Sequence, residues 1–465
     1  MAQGPTPKPS PAPAAVGPAG PSQLDTLLPN PPPYEAATRV EAGNDVDRRS
    51  YRSRVNSRFF SAWFWGVVVW VLMSGLIRSY YEILWPRHRH RVHQHSETDG
   101  SSSYSLPDNV TVGICQEWHM KENKHSAMPF IGELQFDLPI NSESLFLFSR
   151  GPLAQGKLHI TTDTKIPADK VRVDVTMHAV AQWLRYSSKV CSASRKTGHH
   201  GVGIFASPMG PNISHESTQL MAFDTKLSFP PGSSNFIKGL DVDMPNFAQR
   251  IGNMSNYLFD RLVIQTSKFP VEVDALRVNN GSIETSWAPI TGVFNTSSTL
   301  ILKTTMSPIS VDIGAHSDGN VTQVIVSTTA FPLRANISLL ADSPSNKGDF
   351  EVSTSTTYGS LDVRFPTQAL DSTLRFSGSG SNAPASVTLD STYEGNILVR
   401  TSNYHPSYVL REPSLDPGGR RRQRHIDLRL DDATLSGEVS WIDGRHEPKG
   451  QVVLYTTNNE ATVEL

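Results

Sequence analysis

The chain is poor in cysteine, with two in 465 residues, and poor in charge, with 18% Asp, Glu, Lys and Arg and a formal net charge of −2. Two cysteines exclude a disulfide-built scaffold and an all-cysteine zinc site. The near-neutral balance excludes a broad basic surface for nucleic acid. Catalytic motifs are missing as well. His215-Glu216 and His446-Glu447 lack the second His of a helical zinc-hydrolase motif. Gly378-Ser379-Gly380 sits in a Ser-rich turn, without the strand-to-helix setting of a nucleophile elbow. No phosphate-cradling glycine loop occurs. No catalytic residue, cofactor-binding residue or metal ligand is therefore assigned, no cofactor is expected, and the chain is expected not to be an enzyme.

Long apolar runs are absent with one exception, Phe59 to Ile77, FFSAWFWGVVVWVLMSGLI. Its length gives roughly 28 Å as a helix, close to the ~30 Å hydrocarbon core of a bilayer. Trp63 and Trp65 near one end, and Tyr80, Tyr81 and Trp85 beyond the other, suit the two interfaces. The run lies too far into the chain, and is too long, for a cleaved signal peptide, so residues 59–77 read as an uncleaved signal anchor. Basic residues flank it almost evenly, Arg48, Arg49, Arg52, Arg54 and Arg58 before it against Arg78, Arg87, Arg89 and Arg91 after it. The N-glycosylation acceptors decide the orientation: Asn109, Asn212, Asn253, Asn280, Asn295, Asn320 and Asn336 all follow the span and none precedes it. The expectation is a single-pass protein of the plasma membrane or an endomembrane, its N-terminus cytosolic and its C-terminal domain extracellular or lumenal.

Residues 1–58 form a Pro-rich arm with too few large apolar groups to offset ordering, so disorder is expected there. It contains Pro31-Pro32-Pro33-Tyr34, a preset polyproline II segment of the kind that cytosolic WW domains, often those of ubiquitin ligases, read. A Pro-rich arm also meets this pattern through composition alone, and both readings stand. Lys8 is the one lysine ahead of the span. Residues 78–108 form a basic, then Ser-rich, linker. Its His88, His90, His93 and His95 alternate with arginines that repel a divalent cation, which favours a solvated stalk over a metal site.

Residues 109–465 change to short alternating runs of Val, Ile, Thr, Ser and Phe. Lys170 to Met177, Pro270 to Val278 and Ser372 to Ser377 read as half-buried strands. Gln182 to Ala193 is the best helix candidate. A loose repeat, Gly-x-apolar-x-Val, starts at Gly348, Gly359 and Gly395, with looser copies at Gly281, Gly319 and Gly437. Phe350, Val352, Leu361, Val363, Ile397 and Val399 then share inward faces, because strand side chains alternate. The expected fold is all-β, as a β-roll, a solenoid or a sandwich, with a subdivision near residue 270 left open.

These Gly-led strands resemble the adhesin-type β-rolls of bacterial surface proteins. The whole plan, a PPPY-bearing arm, one span, a Ser-rich stalk and a β domain, is similar to a family of fungal, chiefly basidiomycete, single-pass membrane proteins with an outer domain of unknown function. The plan covers most of the chain, while the repeat covers only about residues 274–403. The resemblance implies display at a membrane and brings no active site with it.

Cys115 and Cys191 both follow the span, where thiols oxidise, so they pair in one disulfide or remain separate thiols. Arg420-Arg421-Arg422-Gln423-Arg424 reads as an exposed basic loop or as a processing site. Asp241 and Asp243 lie two apart, on one strand face, as surface acids or as a carboxylate pair for glycoside cleavage or calcium. Trp183, Trp287 and Trp441 serve as core or as sugar-stacking platforms. The functional expectation is a noncatalytic display domain for a ligand, glycan or partner. The alternatives are a membrane-anchored carbohydrate-active enzyme on a β-helix and a structural cell-wall anchor.

Overall fold

The computed structural model describes residues 106, 109–207, 220–232, 236–341, 343, 347–410, 415–442 and 450–465. The apolar run 59–77, Pro31–Tyr34, the histidines of the linker and Asn212 lie outside them. Among the described residues, no helix is long and apolar enough to cross a membrane.

The described chain is all-β. It enters through β1 (Thr111–Gln116), β2 (His119–Glu122) and β3 (Phe130–Pro139). β4 (Ser144–Arg150) and β5 (Gly156–Thr162) follow, then β6 (Lys170–Ala179), a 3-10 helix (Gln182–Ser187) and β7 (Ser188–Ser194). The helix expected over 182–193 is thus one short turn: from Ser188 the chain pairs with β8 (His199–Ala206) as a strand. β9 (Met221–Phe229) and β10 (Phe236–Asp243) lead into three long strands, β11 (Phe247–Gln265), β12 (Val271–Glu284) and β13 (Ile290–Lys303). Shorter ones follow: β14 (Ile309–Ser317), β15 (Val321–Ser327), β16 (Leu333–Ala341), β17 (Asp349–Ser355), β18 (Leu361–Arg364), β19 (Thr373–Ser379) and β20 (Ala385–Thr388). The last are β21 (Gly395–Thr401), β22 (Ser407–Val409), β23 (Gln423–Asp431), β24 (Thr434–Ile442), β25 (Gly450–Thr456) and β26 (Ala461–Glu464).

The strands stack as coils in two parallel ladders. The first ladder runs β8, β4, β10, the second halves of β11, β12 and β13, then β15, β17, β19, β25 and β21. The second runs β9, β5, the first halves of β11, β12 and β13, then β14, β16, β18, β20, β26 and β22. Both ladders continue across residue 270 without a break. Alternation sends one row of each strand inward. Phe350, Val352, Leu361, Val363, Ile397 and Val399 are all buried in one apolar core that draws on both ladders. Leu398, facing the other way, is half-buried.

Antiparallel strands close the ends. β7 lies on β8, with β1 beyond it, and β6 lies on β9, with β3 and β2 beyond. At the other end, β24 covers β21 and β23 covers β24. These flaps occupy strand edges that would otherwise template pairing with another chain.

Candidate functional site: the turn edge

From β10 onward, each coil passes from the first ladder to the second through a short turn. These turns share a pattern: Thr, then Ser or Thr, two variable residues, then commonly Pro. Examples are Thr266-Ser267-Lys268-Phe269-Pro270, Thr285-Ser286-Trp287-Ala288-Pro289, Thr304-Thr305-Met306-Ser307-Pro308 and Thr328-Thr329-Ala330-Phe331-Pro332. Thr356-Thr357-Tyr358-Gly359 ends in Ser360, and Gly380-Ser381-Asn382-Ala383-Pro384 starts with Gly.

The leading Thr is buried in every coil that has it and does two jobs. Thr285 and Thr356 accept the N–H of Ala288 and Gly359 within their own turns, each at 3.2 Å. Thr304, Thr328 and Thr356 donate to the carbonyls of Ala288, Ser307 and Phe331 in the preceding turn. A hydroxyl that donates and accepts is what such a stacked turn needs. The closing Pro needs no N–H at a strand start. The turns also bond to one another through the main chain: Trp287 N–H to Ser267 O, Met306 to Ser286, Ala330 to Thr305, and Tyr358 to Thr329, at 2.8–3.0 Å. Their side chains therefore repeat at the strand spacing of about 4.8 Å.

The outward side chains divide into two stretches. Over five consecutive turns, each presents one large exposed apolar group: Phe269, Trp287, Met306, Phe331 and Tyr358. Trp287 is 63% exposed and Tyr358 62%. Farther along, Asn382, Asn458 and Asn403 take over. Asn458 Nδ2 donates to Asn382 at 2.8 Å and Asn403 Nδ2 to Asn458 at 2.7 Å, an asparagine ladder. Beside the apolar stretch, strand ends and turns line a shallow open cleft that includes Asp243, Gln265, Glu284, Lys303, Ser267 and Ser286.

Sequence reasoning singled out Trp287 but not the turn repeat that displays it. The signal was the recurring Thr followed by Ser or Thr, with Pro three residues on. Its spacing is irregular because extra residues enter at the opposite corner, between β16 and β17 for instance, while the turn edge stays constant. Trp183 is also exposed, on the 3-10 helix, whereas Trp441 is 1% exposed and donates to Ser391 O at 3.0 Å. Asp241 and Asp243 do share an outer face. Each is matched by arginine: Asp241 to Arg195 at 2.7 Å and Arg261 at 2.9 Å, Asp243 to Arg150 at 2.6 Å. Among the described residues, no group of His, Cys, Asp or Glu is placed to hold a metal ion.

The basic run Arg420–Arg424 is not a uniformly exposed loop. The Arg422 side chain is 5% exposed and pairs with Asp416 and Glu394, each at 3.0 Å. Gln423 and Arg424 already belong to β23, paired with β24. Cys115 and Cys191 are register partners on β1 and β7 and are disulfide-bonded. Of the described acceptors, Asn109 precedes β1, while Asn253, Asn280 and Asn320 lie at or near the corner opposite the turn edge. Asn295 and Asn336 are on the outer face of the second ladder. None falls in the turns.

No known protein family matches the chain, and no curated protein matches it. Among solved structures, the chain is similar to a candidate cell adhesion protein from Clostridium sporogenes at 9% identity and a TM-score of 0.16. The match covers 71% of this chain and 97% of that one. A TM-score of that size carries no argument about fold or function.

Proposed function

We propose that the chain is a noncatalytic single-pass membrane protein that displays an adhesin-like β-solenoid for binding. In this reading residues 59–77 span the bilayer, and Pro31–Tyr34 meet a WW-domain protein on the cytosolic side. The outer domain faces the extracellular space or a lumen, without nucleic acid or cofactor, and holds a ligand, glycan or partner on its turn edge. The observation that supports it is the run of large exposed apolar side chains over consecutive turns, a stretch clear of glycan acceptors. Contiguous exposed apolar surface of this kind marks interaction sites.

The test has two parts. In intact vesicles, a tag at residue 1 should be open to protease from the cytosolic side, and endoglycosidase should shift the mobility of the full chain. A protected tag and an unshifted band would refute the orientation. The full chain in detergent should then bind at least one member of an array of glycans, polysaccharides and cell-surface extracts; a blank array would refute the binding role.

A second reading, a membrane-anchored carbohydrate-active enzyme, has one observation in its favour. Asp243 and Glu284 line the same cleft two coils apart, about 10 Å between main chains, beside Trp287. Inverting glycosidases separate their carboxyls by roughly 6.5–9.5 Å. Against it, Arg150 holds Asp243 and Lys303 stands in register beside Glu284. Polysaccharide turnover that vanishes in Glu284→Gln would establish this reading in place of the first.

A further inference from the structure

We propose that the apolar stretch of the turn edge binds an extended, uncharged polysaccharide laid along the stack, with roughly one sugar ring per coil. This rests on the binding reading above and adds the ligand class and its direction. Main-chain bonds fix the turns to one another, so their outward side chains recur at about 4.8 Å, close to the length of one pyranose unit. Phe269, Trp287, Met306, Phe331 and Tyr358 supply one apolar platform per coil. The C–H faces of sugar rings stack on such surfaces and leave the ring hydroxyls at the rim.

Beside each platform stands a turn hydroxyl: Ser267, Ser286, Thr305, Thr329 or Thr357. None of these hydroxyls makes a hydrogen bond within the described residues, so each is available to a sugar hydroxyl. Charge selects the class. Turns 285–289, 304–308, 328–332 and 356–360 contain no acidic or basic residue. At the adjoining strand ends Arg150 neutralises Asp243, and Lys303 lies beside Glu284. A polyanion meets Lys268 and Lys303, and a polycation meets Glu284 in register beside Lys303, so the few charges along the strip favour neither sign. Past Tyr358 the edge changes to asparagines that bond to each other, which ends the platform after about five coils.

The test uses the full chain in detergent with cello-, chito- and laminari-oligosaccharides of increasing length, read by calorimetry. In at least one series affinity should rise with each unit to about five, one per coil, and then level off. Trp287→Ala and Tyr358→Ala should each weaken the longest ligand about tenfold, equivalent to about 1.4 kcal/mol. Both residues are exposed, so the thermal melt should not move. Asn403→Ala, beyond the strip, should bind as the parent does. Affinity independent of length, preference for charged polysaccharides, or full binding by the double Trp287→Ala, Tyr358→Ala variant would each overturn the proposal. If that double variant still binds cell surfaces as the parent does, this inference fails while the general binding role stands. If the parent binds no polysaccharide and no cell surface, both fail.

Discussion

At the N-terminal end, β4 and β5 are laid down before the coil that lies outside them, β8 and β9. At the C-terminal end, β21 and β22 are laid down before the coil that lies inside them, β25 and β26. Both ends therefore exchange the order of two coils, and both then add antiparallel flaps. The chemistry of closure differs. The N-terminal end is covalent and aromatic: the Cys115–Cys191 bond joins β1 to β7, and Phe146, Phe148, Phe205 and Ala193 pack beside it as a separate small core. Gly203 makes this possible, since a Cβ there would fall 2.4 Å from the Phe148 ring. The C-terminal end is ionic and hydrogen-bonded. Arg422 is buried between Asp416 and Glu394, near the Trp441 ring. One end is held by a bond that survives unfolding; the other depends on its last residues finding their slot.

The sharpest way to break the symmetry is to remove residues 450–465. They fill an interior coil, where Val452, Leu454, Ala461, Val463 and Leu465 are all buried. Without them, β21 and β22 lose their neighbour on the side of β19 and β20, and the core there opens. The expected outcome is loss of amide protection throughout β21 to β24, while β4, β8 and β10 stay protected. Uniform loss over the whole stack would show that the two ends form one cooperative unit.

The second test acts on the other end. The disulfide closes a separation of 76 residues, for which the chain-entropy estimate is on the order of 4 kcal/mol, with typical losses of 2–5 kcal/mol. Cys115→Ser with Cys191→Ser should destabilise the fold by about that amount in denaturant melts. The lost protection should lie in β1, β7 and β8. Equal effects at β23 and β24 would contradict separate closure.

How far this was readable in the sequence varies with the element. The inward rows were legible at Phe350 and Val352, Leu361 and Val363, Ile397 and Val399, because alternation is a local property of a strand. All-β character was legible for the same reason. The order of coils was not: nothing local in residues 450–465 distinguishes an inserted coil from a terminal one, since the placement depends on edges left open by β19 and β21. At the candidate site, Trp287 was named as one of three tryptophans, but its platform was missed. Glycines recur at only some of the strand starts, whereas the constant feature is the buried Thr of the turn. The basic run misled because its composition looks solvated, and only the distant Glu394, together with Asp416, turns Arg422 inward.

A smaller effect is expected from the asparagine ladder. Asn458→Ala removes two side-chain hydrogen bonds, to Asn382 and from Asn403, on an exposed edge. Such bonds contribute about 0.5–1.5 kcal/mol each, and less where water replaces them. The variant should lose about 1 kcal/mol from the C-terminal end and nothing from β1, β7 and β8. A loss above that of the disulfide variant would mean that the ladder, rather than the inserted coil, holds this end.

The smallest effect comes from acid, and it should again separate the two ends. The Arg422 guanidinium hydrogen-bonded to Asp416 holds that carboxyl well below the usual carboxylate range, against an opposing push from burial; the N–H groups of Arg422 and Gly418 add to the lowering. A carboxylate whose folded pKa is depressed contributes stability above its unfolded value, near about 4. That contribution fades as pH falls through the unfolded value and is gone below the folded one. The N-terminal disulfide has no such dependence; the lowered carboxyls at that end, Asp137, Glu143 and Asp163, pair with Arg172 on β6, Lys238 on β10 and Lys226 on β9 rather than with β1 or β7. Hydrogen exchange at a series of pH values below 4, corrected for intrinsic rates, should therefore show β23 and β24 opening before β1 and β7. Asp416→Asn should loosen β23 and β24 already at neutral pH and reduce the acid dependence there to what Glu394 alone supplies. If β1 and β7 open first in the parent chain, Asp416 is not what makes the C-terminal end acid-sensitive, and the contrast drawn between ionic and covalent closure is wrong.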